Sequence, residues 1–306
     1  MKKLISSKNF YYHMLVADWG TSSLRIYVLD ERGEIVTKRT SEKGILVAKT
    51  LGFEKTLELE AEGLLNDQRI LLGGMIGSRN GWVETEYVDC PATLEEIANR
   101  LGNMTWRNES GTSRTAKITP GVRFLGENGM SDIMRGEELQ ILGLMQQITD
   151  EHATIVLPGT HSKWVSVINN TISEFRTYMT GEVFELLANR SILKSEARTE
   201  PFDNNVFLDG VKLGSTKNSL TNLIFQVRTQ LISGKLQPSS CDSFLSGILI
   251  GNEISHEVRN QRLIHLVSNS KLSKLYSMAL QYFNIESVTY DEDIFTKSAF
   301  HLLNQN

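Results

Sequence analysis

LVADWGTSSLRIYVLDERGEIVTKRT, residues 15–40, is the stretch on which the fold turns. Two short β-rich runs, Leu15–Ala17 and Leu24–Leu29, flank a turn of Asp, Gly, Thr and Ser, and a second polar turn, Asp30–Gly33, leads into Glu34–Thr37. The pattern predicts strand, tight turn, strand, turn, strand: an antiparallel meander. TIVLPGTHSKWVSVINNTISEFRTYMTG, residues 154–181, repeats the plan. Placing Gly20-Thr21 on Gly159-Thr160, an offset of 139 residues, sets Ser23 on Ser162, Val28 on Val167, Leu29 on Ile168 and Asp30-Glu31 on Asn169-Asn170. Each copy runs on to a glycine, Gly44 or Gly181, 24 and 22 residues past its Gly-Thr. So long an offset is not a solenoid period; it predicts two lobes that open with the same hairpin.

The remainder of the chain agrees. Its 306 residues suffice for two domains, set here at 1–150 and 151–306. Hydrophobic residues make up 40% and charged residues 22%, so a sizeable core is expected. A net charge of −4 argues against a nucleic-acid-coating protein. Cys90 and Cys241 stand too far apart in sequence for a disulfide framework or a Cys-based zinc site. The longest apolar runs are strand-sized, which predicts no membrane span and a cytoplasmic protein. The opening MKKLISSKNFYYHM is broken by polar residues and reads as a short leader or first strand rather than a signal peptide. Helices are expected between the strands. Thr93 and Glu96 form a capping box in CPATLEEIANRLG, with Gly102 closing that helix. Ser131 caps a helix from Asp132 to about Met145. Val183, Leu186, Leu187 and Ile192 share one side of another, and Ser270 caps KLSKLYSMALQYF. Alternating strands and helices give an α/β class.

A hairpin turn of Asp, Gly, Thr and Ser suits phosphate. Glycine bares the backbone so that N–H groups can approach an anion, hydroxyls add donors, and an Asp at the strand end can hold Mg²⁺ or its waters. Asp18, Gly20, Thr21, Ser22 and Ser23 supply these parts, and Gly159, Thr160, His161, Ser162 and Lys163 supply a second set. Two such turns facing across an inter-lobe cleft would clamp a nucleoside triphosphate; the bland alternative is a pair of ordinary turns. Phosphoryl transfer to a hydroxyl needs a carboxylate to take its proton. Asp132, at the expected helix start, is the candidate, with a plain first-turn acidic residue as the alternative. The block GGMIGSRNGWVETEYVDCPA, residues 73–92, offers Arg79 for a carboxylate, Trp82 and Tyr87 for a sugar face and Glu84 for hydroxyls, unless Trp82 and Tyr87 only pack on the core. GENGMS lacks the G-x-G-x-x-G spacing, and no Walker A loop occurs. Of the histidines, only His161 lies in a motif.

DWGTSSLR, GGMIGSRNGWVETEYVDCPA, GMSDIMRGEELQ, LPGTHSKWV and FRTYMTGEVFELLANRSIL, in that order between about residues 14 and 254, together resemble the 2-dehydro-3-deoxygalactonokinases. The resemblance implies the actin-like ATPase and sugar kinase superfamily, with two ribonuclease-H-like lobes and a nucleotide and sugar cleft between them. It implies ATP-dependent phosphorylation of 2-dehydro-3-deoxygalactonate at the 6-hydroxyl, in galactonate breakdown, with Mg²⁺. It sets Asp18 to Ser23 and Gly159 to Lys163 on the two phosphate motifs, Asp132 on the catalytic Asp, Arg79, Trp82 and Tyr87 in the substrate-side block, and FLSGILIGNEI (244–254) on the adenosine side. Ser268-Asn269 stand where a glycine-containing turn is expected under the adenine, and the stretch from Tyr290 departs from the pattern. A kinase for a related keto-deoxy or aldonic acid, and a non-catalytic nucleotide-binding protein on this fold, are the competing readings. The partners expected are ATP and a small sugar acid; a homodimer is compatible with the sequence, which is silent on oligomeric state.

Overall fold

The computed structural model describes residues 14–65, 69–127, 129–194, 202–258 and 261–305. The leader expectation for the first 13 residues lies outside these. The chain divides into two compact units. One takes the described residues through Thr149, Asn170–Ile172 and the C-terminal segment from Asp293; the other takes Asp150–Asn169 and Ser173–Glu292. The segment from Asp293, assigned from sequence to the second lobe, therefore packs with the first.

The first unit runs β1 (Met14–Trp19), β2 (Leu24–Leu29), β3 (Ile35–Ser41), α1 (Ile45–Leu51), α2 (Phe53–Glu60), β4 (Arg69–Gly74), β5 (Tyr87–Asp89), α3 (Leu94–Ala98), β6 (Gly102–Arg107), β7 (Ser113–Ile118), β8 (Gly121–Leu125), β9 (Ser131–Met134) and α4 (Glu137–Met145). Its main sheet has the order β3-β2-β1-β4-β7-β6, and a small sheet has the order β5-β8-β9. The expected meander is present. β1 pairs antiparallel with β2 from Met14↔Leu29 to Trp19↔Leu24, β3 is antiparallel to β2, and β4 runs parallel to β1. Apolar residues on both faces of β1 and β2 bury those strands almost completely, as a central position demands.

The second unit runs β10 (His152–Leu157), β11 (Ser162–Ile168), β12 (Thr171–Tyr178), α5 (Thr180–Arg190), α6 (Asn204–Gly214), α7 (Leu220–Ile232), α8 (Cys241–Glu257), β13 (Leu263–Val267), α9 (Ser270–Tyr282) and β14 (Glu286–Tyr290). Its sheet order, β12-β11-β10-β13-β14, begins as the first unit's does. A meander is followed by a strand parallel to its first member, because β10 pairs antiparallel with β11 and parallel with β13. The last helix, α10 (Phe295–Gln305), belongs to the first unit. In the second, α6 and α8 cross through Gly210, Gly214, Gly247 and Gly251; a Cβ on Gly247 would stand 2.0 Å from the Phe207 carbonyl oxygen. Only glycine permits that approach.

Some helix limits differ from the sequence expectation. Thr93 and Glu96 form the capping box, but α3 stops at Ala98 and Gly102 opens β6 instead of closing a helix. Residues 131–134 are not helical: they pair with β8, Phe124 opposite Asp132. The helix begins only after Gly136, whose φ of 110° admits glycine and disfavours other residues. On α5, Val183 and Leu187 pack against the core, whereas Leu186 is exposed, as is Ile192 beyond the helix end. Asn269, not Ser270, caps α9, its side chain accepting from the N–H groups of Lys271 and Leu272.

Candidate active site

The first turn lies between the closing pair Trp19↔Leu24. Gly20 N–H donates to the Ser23 carbonyl at 2.9 Å, and Thr21, Ser22 and Ser23 are exposed. Asp18, the penultimate residue of β1, accepts through Oδ2 from Arg25 Nε at 3.0 Å and Nη2 at 2.5 Å. The head of α1 docks on this turn: Ile45 N–H donates to the Gly20 carbonyl at 3.0 Å. Gly44 makes the docking possible, since a Cβ there would lie 2.3 Å from the Thr21 carbonyl oxygen.

The second turn has the same mechanics. Gly181, near the head of α5, abuts Gly159, where a Cβ would lie 2.4 Å from the carbonyl oxygen, and Glu182 N–H donates to the Thr160 carbonyl at 3.0 Å. The glycine that ends each sequence copy is thus the residue that lets a helix rest on its turn. The copies differ by one residue. Leu157↔Lys163 closes the second turn around five residues, Trp19↔Leu24 the first around four. Aligned on these pairs, the 139-residue offset holds after the turn, falls to 138 before it, and sets Asp18 on Val156. The second turn has no strand-end carboxylate. Gly159 is half-buried, Thr160 and His161 are exposed, and His161 Nε2 lies 2.5 Å from Glu182 Oε2. Ser162 and Lys163 are buried, the Ser162 hydroxyl 2.8 Å from the Tyr276 hydroxyl.

Beside this turn the second unit contains a cavity of ≈ 450 Å³, lined among others by Gly159, Thr180, Phe184, Ser246, Ile250 and Leu272. Its wall includes the part of α8 that the resemblance set on the adenosine side. Sequence reasoning missed the contributions of α5 and α9; the Asn269 cap ahead of Lys271-Leu272, both lining residues, was the available signal.

In the first unit, Asp132 lies mid-strand in β9, so the helix-dipole argument for its ionisation fails. Its Oδ1 accepts from Ile133 N–H at 2.8 Å. It shares the small sheet with Tyr87, which opens β5 and whose ring carries the Arg135 guanidinium at 4.5 Å. Arg79 and Glu84 are exposed. Trp82 is half-buried and packs against the core, stacked on Phe53 and tilted against Trp106. Sequence reasoning also passed over Glu137 and Glu138 at the head of α4. Gly136 lies against Gly74, where a Cβ would come within 3.1 Å of Asp18 Oδ1. Glu138 is fully buried, and its Oε2 accepts from Gly136 N–H at 2.6 Å while Oε1 has no partner among the described residues. Burial, then the Glu137 charge, pushes its carboxyl up to about 8.

Two units that each open with a turn-and-docked-helix hairpin define the actin-like ATPase and sugar kinase class of α/β proteins. The activator of 2-hydroxyisocaproyl-CoA dehydratase from Clostridium difficile, solved with ADPNP, shares that fold at TM-score 0.51 and 14% identity, over 96% of this chain and 95% of its own. A crystal structure from Sinorhizobium meliloti, described as a 2-dehydro-3-deoxygalactonokinase protein, matches at TM-score 0.87 and 31% identity over 96% of this chain and 98% of its own. The family model for 2-keto-3-deoxy-galactonokinase matches residues 18–302. A Rhizobium meliloti (strain 1021) relative named Probable 2-dehydro-3-deoxygalactonokinase DgoK1 is 35% identical over 90% of this chain and 92% of its own length. The Escherichia coli (strain K12) 2-dehydro-3-deoxygalactonokinase is 29% identical over 87% and 89%. The chain belongs to the 2-keto-3-deoxy-galactonokinase family of carbohydrate kinases. No helix among the described residues is long and apolar enough to cross a membrane.

Proposed function

We propose that the chain transfers the γ-phosphoryl group of ATP to the 6-hydroxyl of 2-dehydro-3-deoxygalactonate. The observation that carries the reading is the family match over residues 18–302, which takes in both hairpin turns. Thr21, Ser22, Ser23 and the Gly20 backbone are assigned to ATP phosphates in the first turn, and Gly159, Thr160, His161, Ser162 and Lys163 in the second. The burial of Ser162 and Lys163 points to backbone N–H groups and the exposed Thr160 and His161 as the second turn's direct donors. The cavity next to Gly159 suits the nucleoside: apolar side chains such as Phe184, Leu249 and Ile250 share its wall with polar ones such as Ser246, Asp242 and Lys271.

Mg²⁺ fits this donor set. Among the described residues no three His, Cys, Asp or Glu side chains gather for a protein-only metal cage, and Mg²⁺ in kinases typically takes one or two carboxylates, with phosphates and waters completing its shell. Asp18 would hold it, through water. When bound, the ion neutralises charge on the β- and γ-phosphates. ATP and a charged sugar acid as substrates favour a cytoplasmic location.

Asp132 is assigned as general base, accepting the proton of the 6-hydroxyl as the oxygen attacks phosphorus. Its place in the same small sheet as Tyr87 supports this, putting it near the end of the substrate block. Arg79, Glu84 and Tyr87 would grip the acid; Trp82 would shape the site from the core. A second reading has Glu137 as the base, favoured by the approach of the α4 head to Gly74 and Asp18. ADP release against a panel of keto-deoxy and aldonic acids tests the substrate. In the same assay Asp132→Asn is expected to lower kcat about 10²–10⁴-fold. Near-wild-type turnover in Asp132→Asn with loss in Glu137→Gln would move the role to Glu137. ATP binding without turnover on any acid would reject the kinase reading.

A further inference from the structure

Glu253, on α8, is a buried carboxyl group that the proposed reaction does not use. It is 2% exposed and collects donors from three other elements. Trp164 Nε1 of β11 donates to Oε1 at 2.7 Å, the Tyr276 hydroxyl of α9 lies 3.0 and 2.9 Å from Oε1 and Oε2, and the Thr180 hydroxyl, first residue of α5, donates to Oε2. Tyr276 also contacts the Ser162 hydroxyl at 2.8 Å. Isolated, a carboxylate at this depth would be very costly; hydrogen-bonded on both oxygens, it can be retained. Burial nevertheless pushes its carboxyl up to about 7 against the pull of these donors. Hydrophobic residues of similar size would fill the space at lower cost, so the group calls for a use.

Its partners supply one. Thr180 and Tyr276 line the ≈ 450 Å³ cavity, Ser162 belongs to the second turn, and Thr180 precedes Gly181, which rests on Gly159. We infer that Glu253 is a positioning residue of the nucleotide site, fixing the second phosphate turn relative to the cavity wall by tying β11, α5 and α9 to α8. The inference rests on the nucleotide reading of that cavity. Glu257, one turn further along α8, is a natural control: it holds Tyr178 and Arg176, which do not line the cavity.

The test reads ATP and sugar-acid kinetics together with the ADP-induced shift in Tm. Replacing the partners that orient metal ligands commonly costs about 10- to 100-fold, and the lower end of that scale is expected for a network that orients a binding turn. Glu253→Gln is expected to raise KM for ATP about tenfold or more and to shrink the ADP-induced shift, with KM for the acid unchanged. Tyr276→Phe should act in the same direction, by about threefold, and carries the test if Glu253→Gln does not fold. Glu257→Gln should alter neither value. A wild-type KM for ATP in both Glu253→Gln and Tyr276→Phe overturns the proposal, as does an equal loss in both KM values and kcat, which marks a purely structural role. If the wild-type protein shows no ADP-induced shift, the nucleotide reading of the cavity fails and this proposal with it; a wild-type shift retained in Glu253→Gln overturns the proposal alone.

Discussion

At the first turn Gly44 lets α1 reach the carbonyls of Gly20 and Thr21; at the second Gly181 lets α5 reach those of Gly159 and Thr160. The backbone device is the same, and the side chains around it are not. The first turn carries Asp18 tied to Arg25 beneath three exposed hydroxyl residues. The second has Val156 in the matching place, a buried Ser162 and Lys163, and the Glu253 network behind it. The two turns share a docked helix and a bared backbone; they differ in the residues at their strand ends.

The sharpest way to break this comparison is to remove the feature that only one turn has. Asp18→Asn is expected to lower kcat by about 10²–10³, because the Mg²⁺ assigned to this turn would lose the carboxylate that holds its waters. Thr160→Ala should cost less than about tenfold. Steady-state ADP release measures both, and equal losses would mean that the turns are chemically equivalent after all.

Next comes the shared device. Gly44→Ala and Gly181→Ala each force a methyl to within 2.3–2.4 Å of a carbonyl oxygen, and each should destabilise the fold by about 1–3 kcal/mol in urea unfolding. A neutral result at either position would show that helix docking there is incidental.

A pH-dependent contrast separates the two buried carboxylates. Glu138 in the first unit keeps one oxygen without a partner among the described residues, whereas Glu253 is hydrogen-bonded on both. Because the Glu138 carboxyl is held up at about 8 in the fold and ionises near its ordinary value when unfolded, protonation favours the native state at acid pH. That contribution disappears as pH rises through about 8. Glu138→Gln should therefore gain stability relative to wild type between pH 5 and pH 8, by up to about 3 kcal/mol, in paired unfolding curves. A pH-independent difference would contradict the assignment.

These contrasts also mark what could be read from the chain beforehand. Both meanders were legible because polar turn residues punctuate β-rich runs, and the two terminal glycines because they recur at matched distances. Pro158, the extra residue of the second turn, was hidden by the matching Gly-Thr that follows it. The Ser131-Asp132 pair imitates a helix cap, but cross-strand pairing with β8 holds those residues extended and the helix waits for Gly136. Trp82 could face a sugar or the core on composition alone; its contacts with Phe53 and Trp106 show the core side of a half-buried ring. The cavity was least legible, since α5, α8 and α9 meet around it only through the fold.

The most direct test of the whole account is the stoichiometry of ADP and phosphorylated acid formed from ATP and 2-dehydro-3-deoxygalactonate, with the position of the new phosphate read by NMR. The account predicts one ADP for each 6-phosphorylated molecule and no more than trace ADP without the acid. ADP formation that is independent of the acid, or phosphate at another position, would contradict it.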